Sequence, residues 1–101
     1  MIFVTDPGDT VRILAQDVSL RDSNDAAQPV TSGLTGTVTL YDAEGAVASG
    51  PTAFDGNAGD DWFVDIAAPD DEGRYRIVVI VEVSGAQRTL SGELVVGDLV
   101  P

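Results

Sequence analysis

The stretch Asp55-Gly56-Asn57-Ala58-Gly59-Asp60-Asp61 is where residue types and spacing come nearest to chemistry. Asp55, Asn57 and Asp61 stand at the intervals of the first oxygen ligands of a calcium loop, where alternate residues turn oxygens onto one cation. Two positions depart from that pattern: Gly59, fifth in the loop, has no side-chain oxygen, and Ile66, twelfth, stands where a bidentate Glu would complete the shell. A Gly/Asn/Asp turn between strands accounts for the same residues. Two readings therefore stand side by side, a weak calcium site on Asp55, Asn57 and Asp61 and a plain turn. The run Pro69-Asp70-Asp71-Glu72-Gly73 reads as a solvated turn between strands.

Other chemistry has fewer materials. The chain contains no His and no Cys, which removes the Ser/His/Asp triad, the Cys/His pair, the imidazole metal site, the thiolate and the disulfide. Paired carboxylates can hydrolyse glycosides, but only when two are held across a cleft of sugar size. Acids scattered through turns in 101 residues give no sign of that arrangement. The expectation is a protein that acts by binding, with no catalytic residue and no cofactor.

Charge narrows the partners. There are 17 acidic residues against 5 basic ones, a net charge of −12, and all the basic residues are Arg. Such a surface repels phosphate backbones and anionic lipid, so neither nucleic acid nor membrane is an expected partner. The start Met1-Ile2-Phe3-Val4-Thr5-Asp6 has no basic region and no long apolar run, and no segment reaches the roughly 18 to 20 apolar residues of a bilayer span. Synthesis in the cytoplasm, with retention there until assembly, is the corresponding expectation.

The elements that would position any binding residue are strands. Short runs of Val, Ile, Thr and aromatic residues recur every 8 to 12 residues or so between Gly, Asp, Asn, Pro and Ser clusters, without helical periodicity. The spacing predicts strands over residues 11–20, 34–42, 45–49, 51–54, 61–67, 73–83 and 86–96, with an exposed loop over residues 21–32. About seven strands in a single domain of 101 residues is the count of an all-β, immunoglobulin-like antiparallel sandwich. Asp42-Ala43-Glu44-Gly45 and Val83-Ser84-Gly85-Ala86 read as hairpin turns.

Alternation assigns the faces, since successive side chains of a strand point to opposite sides. Trp62, Val64 and Ile66 share one face, Val38 and Leu40 another inward face, and Thr37 and Thr39 point outward. Tyr75, Ile77, Val79, Val81 and Val83 form a core face, which leaves Val78 and Ile80 on the side where water is expected. Either a loop covers this strand or Val78 and Ile80 belong to a protein interface. Both chain ends are apolar as well, Ile2, Phe3 and Val4 at one and Leu99 and Val100 at the other. Residues 1–7 and 97–101 are read as terminal arms that dock either as an extra edge strand of the same chain or on a neighbour's sheet. Ile2, Phe3, Val4, Val78, Ile80, Leu99 and Val100 are the candidate interface residues. Arg74, Arg76 and Arg88 would pair with acidic neighbours, whether on a partner or on the chain itself.

The order Gly8-Asp9-Thr10-Val11, Pro29-Val30-Thr31, Leu34-Thr35-Gly36-Thr37-Val38, Tyr41-Asp42-Ala43-Glu44-Gly45, Trp62, Ala68-Pro69, Gly73-Arg74-Tyr75-Arg76, Gly85 and Leu94-Val95-Val96 resembles small immunoglobulin-like domains of tailed-phage virion proteins, including the N-terminal domain of phage baseplate upper proteins. The resemblance covers nearly the whole chain and rests on turn and core residues. It implies a non-enzymatic virion structural protein of a tailed bacterial or haloarchaeal virus, in a capsid-decorating, connector or tail position. Its partners would be other virion proteins and further copies of itself. Similar patterns occur in immunoglobulin-like modules of bacterial or archaeal cell-surface and adhesion proteins, the alternative setting.

Overall fold

A computed structural model describes residues 2–15, 18–21 and 26–97. It is all-β, with no helix among the described residues. The strands are β1 (Ile2–Thr5), β2 (Thr10–Ala15), β3 (Ser19–Arg21), β4 (Ala27–Pro29), β5 (Thr35–Tyr41), β6 (Val47–Ala53), β7 (Gly56–Ala58), β8 (Asp61–Ala67), β9 (Gly73–Val83) and β10 (Ala86–Val96). One sheet has the order β1-β10-β9-β5-β6, a second the order β2-β8-β7, and β3 and β4 form a small hairpin. All pairings are antiparallel except β1 with β10, the first and last strands, which run parallel.

The two larger sheets pack face to face because each has one apolar side to remove from water. Val38, Leu40, Tyr75, Ile77, Val79, Leu94 and Val96 from the five-stranded sheet meet Val11, Ile13, Val64 and Ile66 from the three-stranded one. Ile77 and Leu94 are wholly buried. Trp62, Val30 and Leu34 make a second cluster at one end, where the indole Nε1 donates to the Val30 carbonyl at 2.8 Å. The Tyr75 hydroxyl donates back to the Asp71 carbonyl at 2.7 Å, pinning the turn that feeds β9. The β9–β10 turn places Ser84 at φ 49° and Gly85 at φ 83°, the left-handed pair a two-residue hairpin needs to match strand twist.

The expected faces match the burial: Trp62, Val64, Ile66, Val38 and Leu40 point inward, while Thr37 and Thr39 are only partly covered. Several boundaries differ, and β7 (Gly56–Ala58) lies within the stretch that reads as a turn. The strand expected over residues 11–20 is two, β2 and β3, since Val18 leaves the sheet line to donate to the Asp60 carbonyl at 2.9 Å and to accept from the Val30 amide at 2.8 Å. The expected loop over residues 21–32 contains β4, whose exposed Ala-Gln-Pro sequence has no apolar alternation to reveal it. The strands expected over residues 45–49 and 51–54 are one, β6, which runs through the cis Gly50-Pro51 bond. Of the two dockings open to the first arm, Ile2–Thr5 takes the one within the chain: it pairs as an edge strand with Glu93–Val96, and the Gly97 amide extends that ladder to the Thr5 carbonyl at 2.9 Å.

Candidate functional site

Backbone pairing decides the geometry of the calcium-like stretch. Residues 56–58 form β7 against β8, with Asn57 opposite Trp62 and Ala58 opposite Asp61. Neighbouring positions on a strand face opposite sides, so Asn57 lies on the Trp62 side and Asp61 on the other. The Asn57 amide donates to the carbonyls of Thr31, at 3.1 Å, and Gly59, at 2.9 Å. Its role here is to tie a hairpin to the neighbouring loop. Asp55, Asn57 and Asp61 are thus not brought onto one point, and no group of three or more acidic side chains converges among the described residues.

The outer side of the three-stranded sheet carries an ordered charge pair. Arg12 grips Asp65 with both ends of its guanidinium, Nε to Oδ1 at 2.8 Å and an Nη to Oδ2 at 3.0 Å, and it lies 4.4 Å from the centroid of the Phe63 ring. The hydrogen bond from Arg12 holds the Asp65 carboxyl below its ordinary pKa, and the same bond raises Arg12. Both side chains are about half exposed, so the pair organises the surface more than it stabilises the fold.

Arg74 and Arg76 lie on the outer side of the five-stranded sheet. Arg74 pairs with Glu93 at 2.9 Å across β9 and β10, and Arg76 sits 5.3 Å from the centroid of the Tyr41 ring. With Asp42 and Gly92 these groups line a concavity of about 520 Å³. The ion pair of Arg74 is therefore made within the chain.

Between the rows of Arg76 and Glu82 the same face is uncharged. Register aligns Ser91, Val78 and Thr39 in one cross-strand row and Thr89, Ile80, Thr37 and Ala53 in the next. The row of Arg76 and Glu93 bounds this patch on one side and the row of Glu82 on the other. Ile80 is 37% exposed and Val78 half-buried. No described segment crosses them, so the loop that would have covered this face is absent among the described residues.

Among the described residues, the candidate interface side chains fall at two separate places. Val78 and Ile80 are two residues apart on the outer face of β9, whereas Val4, 58% exposed, lies opposite Val95 at the far edge of the sheet. The side chains of Ile2 and Phe3, together with Leu99 and Val100, lie outside the described residues. Sequence reasoning missed the threonine and serine flanks of the patch, because they come from β5 and β10 and only register sets them beside Val78 and Ile80. Arg88 lines an apolar groove with Leu14, Val81 and Leu90.

Comparison with protein-family models, with curated proteins and with solved structures finds no match to this chain.

Proposed function

We propose that this chain is an immunoglobulin-like domain that works by protein–protein binding, as a non-enzymatic structural component of a tailed bacterial or haloarchaeal virion. The immunoglobulin-like part of the reading is supported by the strand order, with β1 parallel on β10 in a sheet with β9, β5 and β6, facing a sheet of β2, β8 and β7. It is also supported by the Tyr75 hydroxyl reaching back to the Asp71 backbone at the entry to β9, the corner such sandwiches use. The virion setting rests on the resemblance of turn and core residues described above.

The observation that carries the binding role is the uncharged Val78, Ile80 and threonine patch. On a chain of net charge −12, the cross-strand rows of Ser91, Val78 and Thr39 and of Thr89, Ile80 and Thr37 hold no ionised group. A flat, β-branched sheet face loses little hydration and little side-chain entropy when covered, which is the economy of a lattice contact. Arg76 at its border suits a partner that presents a carboxylate beside an apolar strip.

The test is mass spectrometry of gradient-purified tailed particles from the natural source, with binding of purified Ile80→Asp chain to particles stripped of this protein. The reading expects the chain in the particles at fixed stoichiometry, and an Ile80→Asp variant that melts like the parent yet no longer rebinds. Recovery in the cell-envelope fraction alone would overturn it in favour of a cell-surface module.

A further inference from the structure

Among the described residues, no strand pairs with the outer edge of β10 over residues 86–92. β9 pairs with the whole length of β10 on one side, while β1 occupies the other side only opposite Glu93–Val96. No described strand covers the remaining seven positions, so their outward amides and carbonyls form a template for another strand. The opposite edge of this sheet is blunted: β6 carries Pro51, which has no N–H to offer, and its pairing with β5 is irregular around Leu40. Between Ala86 and Gly92 there is no Pro and no acid. Beneath this edge the groove of about 450 Å³ is lined by Leu14, Val18, Val30, Val81 and Leu90, with Arg88 the one charged residue among the described residues that line it. Leu14 and Leu90 are 42% and 41% exposed.

We infer that this edge is a self-pairing surface, at which residues 86–92 of two copies meet antiparallel about a two-fold axis to join their five-stranded sheets into one. The occupant is a second copy because the edge is complementary to itself. The hairpin turn at Ser84-Gly85 and the start of β1 opposite Glu93 leave a window centred on Thr89. The register that pairs the whole window sets Thr89 opposite Thr89, Arg88 opposite Leu90, Gln87 opposite Ser91 and Ala86 opposite Gly92. No like charges face each other, and each Arg88 stem lies along the other copy's Leu90. Leu14 and Leu90 of the two copies then close the two grooves against each other, an isologous contact that ends at two chains. This edge is distinct from the outer face carrying Val78 and Ile80, and the inference stands independently of the function proposed above.

Repulsion between two −12 surfaces opposes the contact at low salt, where screening extends about 10 Å, and fades at high salt. Light-scattering mass at about 0.1 M and about 3 M NaCl should rise from near 10.5 kDa toward twice that value. Two charge variants then read the register. Leu90→Lys sets a second cation against each Arg88 and should keep the chain monomeric at both salts, although it lowers the net negative charge. Leu90→Glu adds negative charge yet sets an acid against each Arg88, and should preserve the dimer. Thr89→Cys, the sole cysteine of its chain, should form a disulfide dimer on mild oxidation, because Cα atoms paired across antiparallel strands lie about 4.5 to 5.5 Å apart, within disulfide reach. Val47→Cys on β6 should not. Melting curves like the parent's establish that each variant is folded.

A parent chain that stays monomeric at about 3 M salt would overturn the inference. So would a Leu90→Glu chain that dissociates while Leu90→Lys dimerises, or Val47→Cys cross-linking as readily as Thr89→Cys. Dimerisation only after Arg88→Ala would show that Arg88 guards the edge instead of joining it, and would overturn the inference too.

Discussion

The Phe63 ring of β8 lies against the backbone of Gly56 on β7, so close that a Cβ on Gly56 would stand 2.5 Å from the ring edge. The two residues are cross-strand partners, and the aromatic side chain covers the backbone that glycine leaves bare. Arg12 stacks over the same ring and holds Asp65, so one glycine positions the aromatic residue on which the chain's ordered Arg–Asp grip rests.

Gly56→Ala should cost about 1 to 3 kcal/mol, as overpacking does, because ring and backbone cannot both stay in place. In a Phe63→Ala background most of that cost should vanish. A double-mutant cycle by urea unfolding checks the coupling, and additive losses would show that the ring is not what Gly56 accommodates.

Trp62→Phe keeps an aromatic ring in the Val30 and Leu34 cluster but removes the indole donor from a buried carbonyl. An unsatisfied buried acceptor costs about 1 to 3 kcal/mol. The β3–β4 side should loosen first, visible as lost amide-exchange protection at Val18 and Val30 before β9 or β10 changes.

Tyr75 is buried, and desolvation, with smaller contributions from Asp71 and Asp42, raises its phenol above the ordinary value of 10.0. A raised folded pKa means that Tyr75's contribution is complete below the unfolded pKa and declines as pH rises through the folded one. Tyr75→Phe should therefore be less stable by about 0.5 to 1.5 kcal/mol at neutral pH, from the lost bond to Asp71. The gap to the parent should narrow above about pH 10, as thermal melts at stepped pH would record.

Leu94 is 0% exposed and Ile80 37%, though both are large apolar residues on adjacent strands. Leu94→Ala should cost about 2 to 5 kcal/mol through the cavity it leaves. Ile80→Ala should change stability by no more than about 1 kcal/mol, since its outer face packs on nothing described. Comparable losses in chemical unfolding would mean that Ile80 is covered in the isolated chain.

Much of the architecture was legible in the order of residues. Alternation marked the inward faces of Trp62, Val64 and Ile66 and of Tyr75, Ile77 and Val79, because a strand's two-residue period ties burial directly to position. The Ser84-Gly85 turn was legible too, since few residues tolerate its backbone. Composition limited the chemistry, with no His or Cys to supply a nucleophile's base or a soft metal ligand.

Relationships between strands were decided by the tertiary structure. Asn57 and Asp61 read as neighbouring ligands until the pairing of β7 with β8 placed them on opposite faces of the sheet. The parallel pairing of Ile2–Thr5 with Glu93–Val96 joins residues about 90 positions apart, and nothing in the short run Ile-Phe-Val-Thr names its partner. The alignment of Thr37 and Thr89 beside Ile80, and the seven open positions of β10, exist only once register and strand order are set. Local sequence determines which way a side chain points; which side chains become neighbours, and which edges stay open, is a property of the assembled sheets, fixed by long-range packing of the core.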